Sequence, residues 1–99
     1  MLEIDNTTVF TLSDSIVMQA LPELEQFYAF NVENGDHYNL NNAAYFILGK
    51  ISRGATFKSL LQDFLTEYNI DKKTAHNDIE EILGFSLDNN LISIKENES

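Results

Sequence analysis

The chain has 99 residues, 43% of them apolar and eleven aromatic, enough for one domain with a modest core. It has no cysteine, which excludes disulfides, thiolate metal sites and cysteine nucleophiles and suits a reducing cytoplasm. The net charge is −10, and residues 1–49 hold seven acids and no Lys or Arg, so a phosphate backbone is disfavoured as a partner.

At the N-terminus, Met1-Leu2-Glu3-Ile4-Asp5 is acidic and lacks the positive region of a secretory signal. No apolar run approaches the roughly 20 residues that span a bilayer, so no membrane partner is expected. Residues 8–12 form a weak strand candidate and 15–20 a better one. Pro22 cannot donate to a ladder, so 21–25 is expected to be a loop or a single turn. Residues 26–32 are rich in aromatics and form the strongest strand, followed by Asn34-Gly35, a hairpin signal, and the returning strand His37 to Leu40.

The period then changes within one residue. Tyr38 and Leu40 alternate with Asn39, whereas Ala44, Ile47, Leu48 and Ile51 are spaced as a helix face, with Asn41 placed to cap it. A first helix is predicted over 42–52, ending near Gly54, and a second after the cap Thr56 with the stripe Phe57, Leu60, Leu61, Phe64, Leu65 and Tyr68. A third is predicted over 72–89 behind the cap Asp71, with Ala75, Ile79, Ile82 and Leu83 on one face. Residues 91–94 can add a short final strand, and 95–99 are expected to fray. The fold class is therefore α+β: an N-terminal three-stranded antiparallel sheet followed by three helices, in winged helix-turn-helix order.

No catalytic motif accompanies this architecture. There is no Gly-rich phosphate loop and no nucleophile elbow. His37 and His76 are far apart and have no matching carboxylate pattern, so no metal and no cofactor is expected. Glu80 and Glu81 are neighbours on a helix and point apart, so they are not a catalytic dyad. The chain is expected not to be an enzyme.

The ordered set Tyr38-x-Leu40-Asn41-x-x-Ala44-x-x-Ile47-Leu48-x-x-Ile51-x-x-Gly54 resembles the core signature of the PqqD-like family, also called the RiPP recognition element. Thr56-Phe57, Leu60 or Leu61, Leu65 and Tyr68 continue the pattern, and Asp78-Ile79-x-x-Ile82-Leu83 and Leu91-Ile92 complete it, so the resemblance covers about residues 15–92. Two positions depart from it: Ser86 stands where the family usually has a core Leu, and Asn90 where a Gly often precedes the final Leu-Ile.

The resemblance implies a non-catalytic domain that binds the leader segment of a ribosomally made precursor peptide and presents it to a maturase, such as a radical SAM enzyme, a leader peptidase or a cyclase. The leader would add as a strand on His37, Tyr38, Asn39 and Leu40, with its apolar side chains against the third helix at Ala75, His76, Ile79, Ile82, Leu83 and Ser86, although some of that helix's apolar residues must instead pack on the first two helices. From their place in the first turn of the third helix, Lys72 and Lys73 are either solvated and offset by Asp71 or placed to meet acidic residues of the guest. The same strand edge would allow a homodimer. The rival readings are a DNA-binding winged-helix regulator, which the charge disfavours, and a self-associating interaction domain.

Overall fold

A computed structural model describes residues 7–95. The acidic stretch 1–5 and the tail 96–99 lie outside the described residues. The chain order is β1 (Val9–Leu12), β2 (Ile16–Leu21), a 3-10 turn (Pro22–Leu24), β3 (Gln26–Asn31), β4 (His37–Leu40), α1 (Asn42–Ile51), β5 (Ala55–Thr56), α2 (Phe57–Glu67), α3 (Lys72–Asp88) and β6 (Ile92–Lys95). No described helix is long and apolar enough to cross a membrane.

The expected N-terminal sheet is present as β2-β3-β4, antiparallel throughout. Alternation sets its faces: Ile16, Ala29 and Leu40 are buried, while Val17, Gln19, Gln26, His37 and Asn39 point to solvent. The β3–β4 connection is longer than a two-residue Asn-Gly turn. It runs from Val32 to Asp36, with Gly35 taking the left-handed φ of 82° and the Asn31 side chain accepting from the backbone N–H groups of Glu33 and Asn34.

The single-sheet expectation needs correction, because a second three-stranded sheet, β5-β1-β6, joins the two ends of the chain. Phe10 on β1 is fully buried opposite Ile94 on β6, and the two-residue β5 pairs with Val9 and Phe10. Lys95, expected in the fraying tail, is the last residue of β6 and pairs with Val9. Such pairing over some eighty positions leaves no local trace.

Each helix starts on a side-chain cap. Asn41 accepts from the N–H of Ala44, Thr56 forms a reciprocal capping box with Ser59, and Asp71 accepts from Thr74. The helices bury Ile47, Leu48 and Ile51 from α1, Phe57, Leu60, Leu61 and Phe64 from α2, and Ala75, Ile79, Leu83 and Ser86 from α3 in one continuous core. Burying a side chain such as Ile79 stabilises the fold by about 1.5–3 kcal/mol. The Tyr68 hydroxyl at the end of α2 donates to Asn42 at the start of α1, and its ring meets Phe46 and Phe64.

α3 ends in a Schellman closure. The Leu91 N–H donates to the Ser86 carbonyl and the Asn90 N–H to the Leu87 carbonyl, with Asn90 left-handed at φ 58°. Asn is among the residues that tolerate this conformation, so the Gly of the family pattern is not required here.

Candidate functional site

The one-residue switch at Asn41 ends β4, which lies at the edge of its sheet, and the Glu81–Phe85 part of α3 lies beside that edge. The hydrogen-bond register decides which backbone groups remain available. The Asn31 N–H donates to the Asp36 carbonyl, so 31 and 36 form a bonded antiparallel pair. Bonded pairs alternate. Given the register Ala29↔Tyr38 and Phe27↔Leu40, Tyr38 and Leu40 use their backbone groups on β3. The N–H and C=O groups of His37 and Asn39 therefore face the open edge.

Between that edge and α3 lies a groove of about 260 Å³. On one side are Asn39 and Leu40 of β4 with Asn41 and Ala44 at the start of α1, and on the other are Glu81, Ile82 and Phe85 of α3. Phe85 also meets the ring of Tyr38 on β4 edge to face, at 6.1 Å and 86°. Phe85 is 44% exposed, and among the described residues it is the one aromatic side chain in the set of exposed large apolar residues. A second depression of about 230 Å³ continues past Asn39 and Leu40 over Glu25, Gln26, Phe27 and Tyr28.

The sequence-predicted site residues divide into three groups. His37, Tyr38, Asn39, Leu40 and Ile82 lie on the edge strand or in the groove. Ala75, Ile79, Leu83 and Ser86 are fully buried and cannot touch a surface ligand; they hold α3 against the core instead. Lys72, Lys73 and His76 belong to the other end and the other face of α3. At about 100° per residue they fall roughly 140°, 120° and 180° around the helix from Phe85. At 1.5 Å per residue, Lys73 is about 12 Å along the axis from Glu81, and Lys72 about 20 Å from Phe85. His76 packs tilted against the Phe57 ring of α2, with centroids 4.9 Å apart, and contacts Glu80 at 3.3 Å.

Sequence reasoning missed Phe85, Glu81, Asn41 and Ala44 as groove residues. The available signal was Phe85 beside Ser86: a large aromatic just off the apolar stripe and a small polar residue within it.

Residues 27–92 match the family model described as coenzyme PQQ synthesis protein D (PqqD), a span from β3 to the start of β6. The chain belongs to the PqqD family. A search of the curated proteins finds no match. Among solved structures, "TbiB1 in complex with the TbiA(beta) leader peptide" superposes with a TM-score of 0.73 at 16% identity, covering 90% of this chain and 99% of that one. "Lasso peptide synthetase B1 complexed with the leader peptide" gives 0.72 at 19% identity, covering 85% and 96%. At these identities the likeness is one of fold.

Proposed function

We propose that this chain is a RiPP recognition element: a non-catalytic module that binds the leader segment of a ribosomally made precursor peptide by strand addition. The observation that carries the proposal is the open edge of β4, with His37 and Asn39 facing outward beside a groove on α3. Both structural neighbours are described as leader-peptide complexes, which supports the same reading. The scaffold is proposed to be a winged helix-turn-helix turned from nucleic acid to peptide. The leader is presented to a separate maturase in the cytoplasm, whether a radical SAM enzyme, a leader peptidase or a cyclase. Affinity comes from main-chain bonds to the edge, and specificity from guest side chains that enter the groove.

A net charge of −10 opposes DNA binding, and it equally makes two copies of the chain repel each other. The test is calorimetric titration with the leader of a short precursor encoded beside this chain, in parallel with a duplex-DNA shift assay. Binding of the leader at or below tens of micromolar, without a DNA shift, supports the proposal. A DNA shift without leader binding overturns it, and a concentration-dependent dimer that excludes the leader favours self-association through the same edge.

A further inference from the structure

We infer that the groove selects a cationic leader: a segment with one large apolar side chain and a Lys or Arg two positions away on the same face of the strand. This deepens the leader-binding reading and rests on it.

The groove is apolar at its floor and anionic at its rim. Leu40, Ala44, Ile82 and Phe85 make a pocket for one apolar side chain. Glu81 stands on its rim, and Glu25 borders the adjoining depression on the other side of Asn39 and Leu40. Asp78, Glu81 and Asp88 all fall within about 60° of Phe85 around α3, the strip that faces the guest. Asp78 is half-buried, and Glu81 and Asp88 are exposed. Among the described residues none of these carboxylates has an ion-pair partner in the chain, where the pairs formed are Lys50–Asp63 and His76–Glu80.

Neither depression is lined by a cation. Residues 1–49 contain no Lys or Arg, so β4 and its neighbours cannot supply one. Lys72 and Lys73 lie on the far face at the far end of α3, and Lys50 sits 5.3 Å from the Phe46 ring. The field at the docking edge is therefore negative, which attracts basic guests and repels acidic ones. The spacing follows from the two repeats. Side chains on one face of a strand recur about every 6.8 Å, close to the roughly 5.4 Å turn of the helix. A guest strand that follows α3 with its apolar anchor against Ile82 and Phe85 thus places its next inward side chain within about one helical turn of Glu81, with Asp78 and Asp88 on either side.

The test is to pan a displayed library of random 12-residue peptides on the full chain, then titrate a synthetic peptide of the enriched pattern into wild type and Glu81→Lys. The inference expects Lys or Arg enriched two positions from a large apolar residue. It also expects an affinity that falls with salt and drops about 3–10-fold in Glu81→Lys, and an unchanged affinity when Lys72 and Lys73 are both changed to Glu. Enriched peptides that are apolar but indifferent to charge, or acidic, overturn the inference and leave the groove reading intact. No enrichment, or binding that survives Asn39→Pro, overturns the groove reading and the inference with it. Glu81 is exposed, so a matching thermal melt shows that the variant is folded.

Discussion

The ring of Tyr38 on β4 meets Phe85 on α3 edge to face, with centroids 6.1 Å apart. This contact ties the edge strand to the helix beside the groove, and Phe85 stays exposed there to a guest. Phe85→Ala removes an aromatic pair worth about 0.5–1.5 kcal/mol beyond its buried area. The chain is expected to lose about 1–2 kcal/mol of stability and to remain folded, while affinity for the leader falls about tenfold or more. Paired urea denaturation and calorimetry separate the two effects. An unchanged affinity would remove Phe85 from the site.

Asn39→Pro deletes one of the two backbone donors assigned to the open edge. Proline is tolerated on an edge strand where its missing N–H faced solvent, so the fold is expected to survive. Leader binding should fall more than tenfold, with no new folding defect by circular dichroism. Wild-type affinity in this variant would mean that the guest does not pair with β4.

Ser86 is fully buried, and among the described residues its hydroxyl has no hydrogen-bond partner. An unsatisfied buried hydroxyl costs about 1–3 kcal/mol, so Ser86→Ala is expected to stabilise the chain by about 1 kcal/mol. That is a rise of roughly 4–8 °C in Tm for a domain of this size. Leader affinity should not change, because the hydroxyl is enclosed by the core. A clear loss of stability would show that the hydroxyl has a partner in solution.

Asp71 caps α3. The Thr74 hydroxyl donates to its carboxylate at 2.6 Å and the Thr74 N–H at 3.2 Å, and together they hold its pKa below the ordinary carboxylate value. The folded state therefore binds this proton less readily than the unfolded chain. The stability supplied by the cap is complete above the unfolded pKa of about 3.9 and is lost as pH falls through the lower folded value. Asp71→Asn retains a capping oxygen without the charge. The stability difference between wild type and this variant should shrink between pH 5 and pH 2, and a constant difference in urea melts would contradict the assignment.

Local chemistry was legible in the sequence, and distant pairing was not. Asn41, Thr56 and Asp71 cap the helices they were expected to cap, because a cap needs only its own next three residues. β3 and β4 were recognisable from alternation around Gly35. The second sheet was not, since β1 is a weak strand until β6 returns to it from the other end of the chain. The same limit applied to the site. Periodicity located the apolar stripe of α3, but a stripe centre is what a core buries. Ala75, Ile79, Leu83 and Ser86 went inward, and the groove was left to Ile82 and Phe85 on the stripe's margin. The lysines of α3 drew attention as rare charges, yet their helical phase turns them away from β4.

The central claim is that a guest strand pairs with the outward backbone groups of β4. Residue-resolved amide hydrogen exchange, with and without saturating leader peptide, tests it most directly. In the free chain, Tyr38 and Leu40 should already exchange slowly through their bonds to β3, and His37 and Asn39 should exchange fast. On binding, protection should rise at His37 and Asn39 and change little at Tyr38 and Leu40. Binding that leaves His37 and Asn39 unprotected, with new protection confined to the Lys72 end of α3 or to β2, would contradict the account.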